Sequence, residues 1–207
     1  MATGIVSQTL STGVAQAGNP LQSRRPFALP SPDATKLIAA AEEQVGITVG
    51  YDGAYVALKY PMGDIPLQTG VCTDVVIRAY RDAFGIDLQK QIHDDMKQAF
   101  SSYPDIWGLK RPDRNIDHRR VPNMERFFAR KGARLDIGST GGDFQPGDLV
   151  SQRLPNNRPH IGIVSHYASR DGKRPMIIHN IGSGARVEDR LFDFRIVGHF
   201  RYLPNNA

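Results

Sequence analysis

The chain is poor in several features that would place it quickly. It has a single cysteine, Cys72, among 207 residues, so no intramolecular disulfide can form and a cysteine-based zinc site lacks ligands. No apolar run approaches the roughly 18–20 residues that cross a bilayer, and no membrane span is expected. Dense basic runs are missing too. The 26 Lys and Arg residues are scattered apart from Arg24-Arg25 and Arg119-Arg120. A net charge of +5 favours acidic partners in general, but without a basic stripe nucleic acid is not the expected one. What is present is an ordinary globular balance, 40% hydrophobic and 23% charged, long enough to bury a core without staples. Twenty glycines and fourteen prolines imply short, punctuated elements rather than a helical bundle.

Residues 1–33 read as a flexible lead without sustained period, and residues 34–204 as the folded domain. Ala15-Gln16-Ala17 has the look of a signal-peptidase site, and Ser23-Arg24-Arg25-Pro26-Phe27 of a twin-arginine signal. Neither has the apolar stretch an export signal needs, so none is expected and the localisation is unknown. Ser31-Pro32-Asp33 opens a helix whose face is Leu37, Ile38, Ala41 and Val45, ending at Gly46. A second runs from Val71 to Phe84 and stops at Gly85, placing Cys72 in its first turn. Two more span Leu88 to about Phe100 and Val121 to Arg130. Then the chain becomes strand-like at Gly147–Ser151, His160–Ser165, Met176–Ile181 and about Phe194–Tyr202. Helices followed by antiparallel strands is an α+β order.

Three positions combine chemically. A thiol at a helix start meets free backbone N–H groups and the positive dipole end, which favour thiolate. His160 begins one strand and His179 ends the next, so an antiparallel pair brings the imidazoles together. Nucleophile, base and a third group orienting the base is the constellation of covalent acyl transfer, with the Cys72 N–H as part of an oxyanion hole.

Gly70-Val-Cys72-Thr-Asp74, Pro146-Gly-Asp-Leu-Val150, His160-Ile-Gly-Ile-Val164 and Ile178-His179-Asn180 stand in the order found in the NlpC-type cell-wall cysteine peptidases, which the chain resembles. It resembles more closely a bacterial family in that papain-like superfamily known only as a domain of unknown function. That likeness rests on residues 60–66, 115–123 and 179–182 and covers roughly 50–203. The resemblance implies a papain-like α+β fold with Cys72 as nucleophile, His160 as general base and His179 as the orienting residue. Asn180 is the alternative orienter, and alternation sends the two side chains to opposite faces. One departure is the aspartate: Asp74 lies two residues after the cysteine, where better-known members carry it just before. Those members also place a tyrosine near the oxyanion; Tyr60 and Tyr51 are the candidates.

Asp74 reads either as a first-turn stabiliser paired with an arginine or as a proton carrier. Arg119, in Asp117-His118-Arg119-Arg120, reads either as part of a salt-bridged cap or as a rim gripping an anionic substrate group. Trp107 is expected to be local core, with the substrate groove as its alternative. His93, His166 and His199 carry no functional expectation. A zinc set of His160, His166, His179 and Asp148 matches no helix-borne motif such as His-Glu-x-x-His, and no metal or organic cofactor is expected. The resulting expectation is a monomeric cysteine hydrolase of peptidoglycan or its stem peptides. The alternatives are an acyltransferase or transglutaminase-like enzyme and an inactive wall-binding module. An immunity protein would be a further partner if the chain acts as a delivered antibacterial effector.

Overall fold

The computed structural model describes Met1 and residues 24–204. The Ala15-Gln16-Ala17 triplet lies outside the described residues. Helix α1, Pro32–Glu42, starts as its capping signal dictates, with Ser31 Oγ accepting from the Ala34 N–H at 3.2 Å. It ends before Gly46, and a turn closed by Val45 N–H on Glu42 O carries the chain on. Helix α2, Cys72–Phe84, stops at Gly85, whose φ of 68° is the left-handed geometry glycine adopts without cost. Helix α3, Leu88–Ala99, is capped by Asp87, and α4, Val121–Arg130, follows a 3₁₀ turn at Asp117–Arg119. No helix among the described residues is long and apolar enough to cross a membrane.

A two-stranded parallel pair joins β1, Gly50–Tyr51, to β2, Thr69–Gly70. The main sheet has six antiparallel strands: β3, Arg134–Leu135; β4, Leu149–Arg153; β5, Pro159–Ala168; β6, Pro175–Asn180; β7, Ala185–Glu188; and β8, Arg195–Phe200. Their spatial order is β3-β8-β4-β5-β6-β7. The α+β reading therefore stands. The two- and four-residue strands β1, β2, β3 and β7 escaped the sequence reading because alternation over so few residues carries no signal.

Helices α1 and α2 cover one face of the sheet. Leu37, Ile38, Val75 and Val76 pack there with Ile161, Ile163 and Ile178, all buried, each contributing about 1.5–3 kcal/mol. A smaller cluster of Phe144, Val150, Val164, Ile177 and Leu191 completes the packing. Part of the expected flexible lead is held in place. β5 is ten residues long, but β4 pairs only with its residues 159–163. The remaining edge is taken by the Pro26–Tyr167 bridge, with Phe27 N–H donating to His166 O and Ala168 N–H to Arg25 O.

Candidate active site

The start of α2 is built around a buried ion pair. Asp74 Oδ2 accepts the Val71 N–H at 2.7 Å, satisfying a donor that the helix leaves free. The same carboxylate receives Arg119 Nε and Nη2 at 2.9 Å each, and the guanidinium also donates to Asp52 O and Ala54 O. Gly70 suits this closeness: a Cβ there would meet Arg78 Nη1 and Asp74 Cβ at 3.2 Å, so both would have to shift slightly. Asp74 and Arg119 are thus consumed by each other, their side chains 4% and 2% exposed. Arg119 cannot grip a substrate from the rim, and Asp74 is a helix stabiliser. Together they fix the first turn of α2 and the segment after Tyr51.

Cys72 sits on this scaffold almost fully buried. Burial pushes its thiol up to about 11; the Ile161 N–H against the sulfur works the other way, Asp74 adds to the rise, and the N–H groups of Thr73 and Cys72 oppose it. The expected thiolate is therefore not the resting form. Helix-start donors are present, but loss of solvent outweighs them.

The structure brings the two histidines together. His160 Nε2 lies 2.7 Å from His179 Nδ1, and His179 Nε2 lies 3.0 Å from Glu188 Oε2 on β7. An ionised carboxylate only accepts, so His179 carries its proton on Nε2. Its Nδ1 is then bare and accepts from His160 Nε2–H, which leaves His160 Nδ1 as an unprotonated base. The hydrogen bond from His179 holds the Glu188 carboxyl below its ordinary value. Burial, then the neighbouring His179, pushes His160 down to about 3, so it is neutral at ordinary pH. No hydrogen bond joins the Cys72 sulfur to the His160 ring; the sulfur meets instead the backbone N–H of Ile161, the next residue. Catalytic pairs commonly tighten only when substrate is bound.

Asn180 does not reach His160. Its Nδ2 donates to Gly50 O and Gly70 O at 3.0 and 2.9 Å, pinning the small sheet to β6 two residues before Cys72. Tyr60 is also a correction: its hydroxyl donates to Asp94 and its ring packs edge-on against His93, which ties it to α3. Tyr51 is the tyrosine beside the thiol. Loss of solvation raises its phenol first, and repulsion from Cys72 and Asp74 raises it further. Of the alternative zinc set, Asp148 is engaged by His199 and Arg201 rather than by His160 or His179. Glu188 was missed by the sequence reading. Its strand is four residues long, and only the fold shows that a glutamate nine positions after His179 doubles back on it.

Two comparisons agree. The family model described as Domain of unknown function (DUF1287) matches residues 38–202. The uncharacterized protein YijF of Escherichia coli (strain K12) is 54% identical over 163 residues, covering 79% of this chain and 78% of that protein. With the cysteine-bearing helix, the paired histidines and their glutamate all inside the matched span, the chain belongs to the DUF1287 family.

Proposed function

We propose that the protein is a papain-like, NlpC-type cysteine hydrolase that cleaves amide bonds, with peptidoglycan stem peptides as the substrate class. The observation that carries this reading is the hydrogen-bonded run from Glu188 through His179 to His160, the residue that precedes the Ile161 N–H meeting the Cys72 sulfur. A neutral imidazole with one nitrogen committed and the other bare has the free lone pair that a general base needs, and substrate charge developing beside it would have to raise its basicity during the reaction. The order of the sequence motifs supports the superfamily, and the +5 charge is compatible with an anionic wall polymer.

In the resting site the thiol is protonated and His160 neutral. As Sγ attacks the scissile carbonyl, its proton passes to His160 Nδ1, and the Sγ–C bond forms. The oxyanion is received by the Cys72 N–H, with Tyr51 on the same side. His160 returns the proton to the leaving amine as the C–N bond breaks, giving a thioester. Water, deprotonated by the same nitrogen, then releases the acid and the thiol. His179 and Glu188 hold the imidazole in orientation and stabilise its transient positive charge.

Mass spectrometry of purified peptidoglycan and soluble muropeptides, after incubation with wild type and Cys72→Ala, tests the proposal. Fragments from wild type alone are expected, and their masses name the bond. Burial of the thiol favours a second reading, a wall-binding module without turnover. Absence of fragments together with a thiol that iodoacetamide never modifies would establish that reading instead.

A further inference from the structure

Away from Cys72, the residues at the end of α3, the 103–109 stretch and the start of α4 enclose a cavity of about 260 Å³. Phe100, Tyr103 and Trp107 give it aromatic walls, and Asp117, Arg120 and Asn123 give it a polar end. Two features of that end are incomplete. Asn123 is 1% exposed; its Nδ2 donates to Asp117 O at 3.1 Å, yet its Oδ1 has no partner among the described residues. Buried acceptors are rarely left so. Arg120 stacks 4.0 Å over the Trp107 ring and gives Nη1 to Asp117, while its Nε and Nη2 have no partner among the described residues. The cavity thus offers one vacant acceptor and vacant donors beside apolar walls.

We infer that this cavity is a binding site for the acetamido group of an N-acetylated amino sugar. A secondary amide is the complement of that vacancy: its N–H answers Asn123 Oδ1, its carbonyl answers the Arg120 fork, and its methyl fits the aromatic wall. Ser101 and Asp105, both exposed at the mouth, suit the sugar hydroxyls, and the remaining surface of Trp107 suits its C–H face. The inference needs no turnover at Cys72. It adds a glycan to the stem peptide as a recognised part of the wall, because peptidoglycan strands carry such sugars. Arg120 directly follows Arg119, which locks the start of α2, so the two sites share one short segment.

Trp107 is the only tryptophan, so fluorescence excited beyond tyrosine absorption comes from a side chain that lines this cavity. Wild-type protein is titrated with N,N′-diacetylchitobiose, with the deacetylated disaccharide and with N-acetylalanine methylamide. A saturable change with the first, and binding about tenfold weaker or more with the other two, is expected. Asn123→Ala should weaken the acetylated sugar by a similar factor. Should that variant unfold, the ligand series on wild type still decides. Equal response to both disaccharides, no response to either, or tighter binding of the methylamide would overturn the inference. Binding is read without cleavage, so failure here and failure of the hydrolase reading are separate results.

Discussion

His160 and His199 are both buried imidazoles on strands of one sheet, and each belongs to a cluster with a carboxylate. Around His199 every position is filled: Nδ1 faces Asp136 O at 3.0 Å and Nε2 faces Asp148 Oδ2 at 2.8 Å. Asp148 also receives Arg201 Nε and Nη2 and the Gln145 N–H. Nothing is left to react, and the cluster ties β8 to the turn before β4. Around His160 one ring nitrogen is committed to His179, and the carboxylate stands at the far end, on Glu188. The same groups staple in one place and, under the proposed mechanism, poise a base in the other. The difference is whether a lone pair is left over.

Five experiments break or sharpen this contrast. Cys72→Ala should abolish cleavage, by about 10⁴-fold or more in kcat, with the melting temperature little changed; retained activity would detach the thiol from the histidine relay. Asp148→Asn should do the opposite. It removes the buried carboxylate shared by His199 and the partly exposed Arg201 and costs about 3 kcal/mol of stability by urea unfolding, while the activity per folded molecule holds. Glu188→Gln can still meet His179 but no longer dictates its tautomer. An expected kcat drop of about 10- to 100-fold, with KM unchanged and unfolding shifted by under about 1 kcal/mol, would mark it as a positioning residue. Equal loss in Asp148→Asn and Glu188→Gln would erase the distinction.

The smallest effect is an acid dependence. Burial pushes His160 and His118 down to about 3, so both stay neutral when folded. Their contribution is complete above the unfolded value near 6.5 and is lost as pH falls toward about 3, at about 1.4 kcal/mol per unit for each. Chemical denaturation at pH 7, 5.5 and 4.5 should show stability declining, and His118→Gln should flatten that slope. An unchanged slope would mean that His118 is already charged when folded. Cys72 supplies the matching alkaline test: with its thiol near 11, iodoacetamide modification should be slow at pH 7 and rise steadily to pH 10.

Much of the fold was legible along the chain because its signals are local. Ser31-Pro32 capped α1, Gly85 closed α2, and the β-branched runs marked β4, β5 and β6. The placement of His160 and His179 at facing strand ends is also a local matter of register. Alternation had already allowed only one of His179 and Asn180 to reach His160, but which one depends on how β6 sits against β5 and the small sheet.

Sequence by itself determined the helix starts and stops, the α+β order and the succession of cysteine, then histidine, then histidine, since capping, periodicity and strand length act over a few residues. Tertiary structure alone decided the rest. Arg119 reached 45 positions back to Asp74 and became a buried lock rather than a rim. Glu188 was placed behind His179 by a four-residue strand too short to announce itself. The thiol lost its solvent when the sheet closed over the start of α2, and desolvation is a property of everything packed around a group, which no pattern of neighbours along the chain encodes.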